Sequence, residues 1–121
     1  MNLPADVSAE IRALRRIAGR GAPTRTPLEE ASAAFRALPL SGPDRIEGLV
    51  AVVKRRQFQG MTLRAAEELL LVADTARVRR ALRELAADDR FWEHALRSAR
   101  DDDAASAWIS SLMEQAKTLI E

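Results

Sequence analysis

The sequence predicts an all-α fold, a compact bundle of about six to seven short helices in a single domain that spans residues 1–121. Three observations lead to this prediction. Apolar residues recur at helical spacing along most of the chain, and no segment alternates in the manner of a β-strand. Capping residues and proline stand where these segments begin. The apolar content is mainly Ala, Leu and Val, and Ala has the highest helix propensity.

The first two predicted helices are separated by a linker-like segment. The first covers residues 5–18, and a segment rich in Gly and Pro follows at 19–27. For the second helix, Thr26, Pro27 and Glu29 have the order of an N-cap, a first-turn proline and a capping box. Its expected buried face consists of Leu28, Ala31, Phe35 and Leu38.

The third and fourth helices are delimited by a proline and a glycine. Pro43 suits a first helical turn, so a helix is predicted from there until Gly60 ends it. The fourth helix then begins near Thr62. The expected buried residues of the two helices are Ile46, Leu49, Val50, Val53, Leu63, Ala66, Leu69 and Leu70.

Polar N-caps mark the last three helices. Asp74 or Thr75 caps the fifth, and the acidic runs within 87–89 and 101–103 cap the sixth and seventh. Capping accounts for these runs better than an Mg²⁺ or Ca²⁺ site, because their spacing does not match a calcium-binding loop. The expected buried residues are Val78, Ala81, Leu82, Leu85, Phe91, Trp92, Ala95, Leu96, Trp108, Ile109, Leu112, Met113, Ala116, Leu119 and Ile120.

Composition narrows the location and the chemistry. The chain has no Cys, which excludes disulfides and thiolate sites. It has neither a signal-peptide pattern at its start nor an apolar run of membrane-spanning length, so we expect a cytoplasmic protein that does not contact membranes. Arginine supplies 17 of the 19 basic residues, which together with the Ala content suggests a bacterial genome of high GC content.

Catalytic motifs are absent from the sequence. His94 is the only histidine, and no Glu or His stands at zinc-ligand spacing from it. Neither a nucleophile turn of the GxSxG type nor a glycine-rich phosphate loop occurs. We therefore expect no enzymatic activity, no catalytic or metal-binding residues and no cofactor.

Charge is distributed unevenly along the chain. The net charge is +1 overall, but residues 1–60 carry ten basic and six acidic side chains, whereas residues 88–121 carry four basic and eight acidic ones. A mildly basic front and an acidic back could favour self-association or steer a partner.

The segment 61–85 has the outline of a degenerate helix-turn-helix. Ala65 and Ala66 would allow two helices to cross closely, and the second helix has an apolar face toward the first. However, the turn has no Gly near Leu70 or Leu71, where such motifs usually adopt a positive φ. Nucleic-acid binding is therefore an alternative prediction, and its contact residues would be Arg79, Arg80, Arg83, Lys54, Arg55 and Arg56.

Two simpler explanations account for the same basic residues. Arg80 and Glu84 stand at i, i+4, the spacing of ion pairs on a solvated helix face. Residues 54–56 lie near the end of a predicted helix, where cations complement the helix dipole. The sequence does not establish whether the clusters at 54–56 and 77–83 adjoin in the fold.

The last helix suggests a function in protein interaction. Its apolar stripe is broad, so it either closes the bundle or docks on a second copy or a partner. We predict a non-enzymatic interaction module: an adaptor, a regulatory protein or an accessory subunit of a larger assembly, expected to self-associate. The arginine face of the fifth helix is expected to contribute, and the candidate contact residues on the last helix are Trp108, Met113, Leu112 and Ile109.

Overall fold

The computed structural model describes residues 26–120 of the chain. This part contains six α-helices and no strand. They are α1 (Pro27–Arg36), α2 (Pro43–Arg55), α3 (Gln59–Leu70), α4 (Ala76–Ala86), α5 (Asp89–Ser98) and α6 (Asp103–Thr118). The all-α prediction is confirmed for these residues. The predicted helix at 5–18 and most of the segment at 19–27 lie outside the described residues. No described helix has both the length and the apolar character needed to cross a membrane.

Side-chain caps hold the N-termini of α1, α4, α5 and α6. In each case a side-chain oxygen accepts a hydrogen bond from the backbone N–H three residues later, at 3.0–3.3 Å. These bonds satisfy N–H groups that have no partner within the helix. The predicted N-caps are thus confirmed, including the capping role of both acidic runs. The four caps are Thr26, Thr75, Asp88 and Asp102.

The junction between α2 and α3 differs from the prediction. α2 ends at Arg55, before Gly60, because Arg56 has a φ of 48° and its left-handed conformation stops the helix. Gly60 instead lies in the first turn of α3, which begins earlier than predicted. Thr62 is consequently inside this helix, fully buried, and its hydroxyl donates a hydrogen bond to the carbonyl of Phe58 at 2.9 Å.

The chain divides into two units, residues 1–52 and 53–121, with the boundary inside α2. The prediction of a single domain stays a prediction. In the first unit, Leu28 is exposed although the sequence places it on the buried face of α1. The buried face is rotated away from it, since it is centred near Ala34 and includes Glu30. The buried apolar residues of this unit are Ala31, Ala34, Leu38, Leu49, Val50, Ala51 and Val52.

The second unit has its core around α6. This helix packs against α3, α4 and α5, and α3 packs against α4. Trp92 is the largest fully buried side chain, and its Nε1–H donates to the carbonyl of Leu85 at 2.8 Å, which satisfies the indole nitrogen. Leu70, expected to be buried, is only half-buried. The other apolar core residues are Val53, Leu63, Ala65, Ala66, Leu69, Val78, Ala81, Leu82, Leu85, Ala86, Ala95, Ala99, Ile109, Leu112 and Ala116.

Candidate functional site

Helix α4 has one apolar face and one arginine face. Because a helix has 3.6 residues per turn, positions between the buried ones point outward. Arg79, Arg80 and Arg83 occupy such positions and are all exposed, as the sequence spacing predicts. The buried residues of the opposite face are Val78, Ala81, Leu82, Leu85 and Ala86.

The three exposed arginines line a surface groove of about 410 Å³, which we call the arginine groove. The other lining residues are Asp74 and Ala76, from the α3–α4 turn and the start of α4. With three guanidinium groups and one carboxylate, the groove has a formal charge of +2. Its field therefore favours an anionic ligand.

Two of these arginines are held in place by backbone carbonyls. Arg79 Nε donates to the carbonyl of Ala73 at 2.9 Å, and Arg83 Nε donates to the carbonyl of Leu119, just beyond α6, at 2.6 Å. A carbonyl is uncharged, so these bonds bring no negative charge beside either guanidinium group. Within residues 26–120, none of the three groove arginines forms an ion pair, and Arg80 is therefore not paired with Glu84.

The turn before α4 exposes two apolar side chains beside the groove. Leu71 is 83% exposed and Val72 is 38% exposed. The bond from Arg79 to Ala73 places a groove arginine against this turn, and the Asp74 N–H donates to the carbonyl of Val72 at 2.7 Å. The sequence analysis did not single out this apolar edge. The sequence signal for this apolar edge is the predicted helix cap at residue 74 or 75. The apolar residues just before a cap must lie in a turn.

The α3–α4 segment has the close helix packing of a helix-turn-helix but not its usual turn. Ala65 and Ala66 are buried, and α3 packs against α4. Over the described range 26–120, only Gly42 and Arg56 have a positive φ, so no residue of the turn at 71–75 adopts one. The missing turn glycine thus corresponds to a different turn geometry.

The basic cluster at 54–56 does not contribute to the arginine groove. Arg56 Nε forms an ion pair with Asp88 Oδ2 at 3.0 Å, and a terminal nitrogen of Arg56 donates to the carbonyl of Val53 at 3.4 Å. The charge of Arg56 is thus met by a carboxylate. Lys54 and Arg55 are exposed, and neither lines the groove.

The predicted contact residues of α6 separate into core and surface. Ile109 and Leu112 are each 3% exposed and belong to the core of the second unit, so this structure leaves them no surface to offer a partner. Both residues lie on the side of α6 that packs against the other helices of the second unit. Trp108 and Met113 are half-buried, and Trp108 Nε1–H donates to Glu67 Oε2 at 2.6 Å.

The remaining candidates for chemistry are the histidine and the carboxylates of the described residues. His94 is exposed on α5. In the part of the chain that the structure describes, no group of three or more His, Cys, Asp or Glu side chains could hold a metal ion.

Comparison with known proteins gives no family for the chain. No protein-family model, no curated protein and no solved structure matches it. Over the described residues, the chain is an all-α protein whose second unit has a cationic groove beside an exposed apolar turn.

Proposed function

We propose that the chain is a non-enzymatic protein-interaction module, an adaptor, regulatory protein or accessory subunit, that binds an acidic protein segment in the arginine groove. The observation that carries the proposal is the groove itself, where Arg79, Arg80 and Arg83 are exposed and have no carboxylate partner among the described residues. A cytoplasmic location and a bacterial origin, both expected from the sequence, belong to this proposal.

The carbonyl bonds of Arg79 and Arg83 prepare the groove for carboxylates. A guanidinium group has five N–H donors, and each of these bonds uses only the one on Nε. The remaining donors can bind a carboxylate through two parallel hydrogen bonds. Because the side chains are already held, less conformational entropy is lost on binding than for a mobile arginine.

The apolar edge favours a protein segment over a nucleic acid. Leu71 and Val72 would lose exposed surface to an apolar side chain of the partner, at about 25 cal/mol per Å² of apolar surface buried. A nucleic-acid backbone offers phosphates to the arginines but no comparable apolar group to the turn. A segment that carries both acidic and apolar side chains matches both parts of this surface.

Nucleic-acid binding is the second candidate, and the exposed arginine row of α4 is the observation that favours it. Arg79, Arg80 and Arg83 could neutralise phosphates, with Lys54 and Arg55 as further cations. One feature weighs against it: Arg56, the third cation of the cluster at 54–56, is already paired with a carboxylate.

Fluorescence anisotropy distinguishes the two candidates. The full chain is titrated into a labelled amphipathic peptide of Glu and Leu, a matched peptide with Lys in place of Glu, and a labelled DNA duplex, each at two salt concentrations. We expect binding of the Glu peptide only, weakened by salt because exposed charges are screened. The variant R79A/R83A should bind at least about tenfold more weakly.

The matched control is R90A/R97A, which removes two exposed arginines of α5, outside the groove. It should bind the Glu peptide as the unaltered chain does. Duplex binding that disappears in R79A/R83A would instead support the nucleic-acid candidate. Failure of all three probes to bind at low salt would contradict both.

A further inference from the structure

The second unit has an exposed acidic cluster whose charge opposes that of the arginine groove. The cluster consists of Asp101, Asp102 and Asp103, at the start of α6, and all three are exposed. Only Asp102 is used as the helix cap. Asp101 is 96% exposed at its side chain, and its pair with Arg100 is long, at 3.9 Å, so it contributes little.

The other acidic run of this unit is already paired with cations. Asp88 forms the ion pair with Arg56 at 3.0 Å, and Asp89 lies 3.7 Å from Lys117 Nζ. Both aspartates therefore have cationic partners within their own unit. Among the described residues, Asp102 and Asp103 have no cationic partner, and Asp101 has only the long contact with Arg100.

The acidic cluster is too far from the arginine groove of its own chain to bind there. Arg83 lines the groove and bonds to Leu119, just beyond the C-terminal end of α6. Asp103 is at the N-terminal end of the same helix, which has 16 residues. At 1.5 Å per residue, the two ends are about 24 Å apart. The two charged surfaces can therefore meet only between copies.

We infer that the arginine groove binds the acidic cluster, residues 101–103, of a second copy of this chain. The inference rests on the proposed function and names the partner of that site. Charge complementarity supports the inference, because the groove has three arginines and the segment has three aspartates. Asp101 and Asp103 supply the carboxylates for Arg79 and Arg83, while Asp102 continues to cap α6.

Such a contact joins two different surfaces, the groove of one copy and the acidic cluster of another. Two copies joined by a single contact leave one groove and one acidic cluster unused. These two can pair with each other in a two-fold dimer, or each can bind a further copy in a longer oligomer or a ring. The contact is electrostatic, so added salt weakens it.

Sedimentation equilibrium of the full chain tests the inference. We expect the average mass to rise with protein concentration and to fall when salt is added. The variants R79A/R83A and D101N/D103N should each associate at least about tenfold more weakly. D101N/D103N retains the Asp102 cap, and circular dichroism checks that both variants stay helical.

Mixing the two variants gives the sharpest result. R79A/R83A keeps the acidic cluster and D101N/D103N keeps the groove, so together they should form one contact and stop at a heterodimer. R90A/R97A serves as the control and should assemble like the unaltered chain. If R79A/R83A loses helix content, R80A replaces it, since Arg80 lines the groove and its side chain has no hydrogen bond or ion pair with any described residue.

Two results would overturn the inference. One is an unaltered chain that stays monomeric at every concentration at low salt. The other is association that is unaffected by D101N/D103N. If the Glu peptide still binds to the groove in either case, the proposed function survives and the partner is a different protein. If the peptide also fails to bind, the proposed function fails as well.

Discussion

Arginine is held in two different ways in the second unit. Arg56 forms an ion pair with Asp88, whereas Arg79 and Arg83 donate to backbone carbonyls. A carboxylate both orients a guanidinium group and neutralises it, but a carbonyl only orients it. The ion pair therefore stabilises the fold, whereas the carbonyl bonds leave a positioned positive charge at the surface. Similar basic runs in a sequence can thus have opposite uses.

The largest effect is expected where the Arg56 ion pair meets a helix cap. Asp88→Ala removes the N-cap of α5 and leaves Arg56 without its carboxylate. We expect the free energy of unfolding to fall by about 1–2 kcal/mol, from a lost cap and a partly exposed ion pair. Urea denaturation followed by circular dichroism measures this loss.

The matched substitution Asp88→Asn separates the two contributions. Asparagine is also a good N-cap, so this variant loses the ion pair but keeps the cap. Its free energy of unfolding should therefore fall by less than that of Asp88→Ala. If both variants lost the same free energy, the cap would contribute nothing and the ion pair would account for the whole effect.

The next effect concerns the backbone of Arg56. Its φ of 48° is unfavourable for a residue with a Cβ atom and costs glycine little. Arg56→Gly and Arg56→Ala both remove the ion pair, so their difference isolates the backbone. We expect the glycine variant to be the more stable by about 1 kcal/mol in urea denaturation. An alanine variant of equal or greater stability would show that the left-handed conformation is not retained.

The same residue shows where sequence reasoning fails. Thr75, Asp88 and Asp102 are recognisable as caps because capping needs only a side-chain oxygen three residues before a free N–H. The end of α2 is different, since Arg56 is left-handed in a place where it contacts Asp88, far along the chain. Gly60 is the more conventional residue for ending a helix. Rules that use only neighbouring residues therefore select Gly60, although the helix ends at Arg55.

The candidate site, like the helix ends, can be predicted from the sequence only in part. Helical spacing correctly places Arg79, Arg80 and Arg83 on the outer face of α4. It does not reveal the bond from Arg83 to Leu119, which depends on how α6 packs. For the same reason, the apolar stripe of α6 predicts a packed face but does not show which candidate contact residues, such as Ile109, the other helices cover.

A smaller effect should follow when a carbonyl-bound arginine is removed. Arg83→Ala loses one hydrogen bond at the end of α6, and we expect the free energy of unfolding to fall by about 0.5–1 kcal/mol. Urea denaturation provides the value. A loss well above the one for Asp88→Ala would mean that Arg83 serves the fold more than the groove, and the contrast with Arg56 would disappear.

The smallest effect on stability is expected at Arg80, and it tests the comparison most directly. Arg80 lines the groove, and its side chain has neither a hydrogen bond nor an ion pair with residues 26–120, so Arg80→Ala should change the free energy of unfolding by no more than about 0.5 kcal/mol. Its charge nevertheless contributes to the field of the groove, and the anisotropy titration should show weaker binding of the Glu peptide, by about two- to tenfold. Stability and binding would then separate at one residue, as expected of an arginine kept for a ligand. A variant that binds the peptide with unchanged affinity would restrict the site to the two carbonyl-bound arginines.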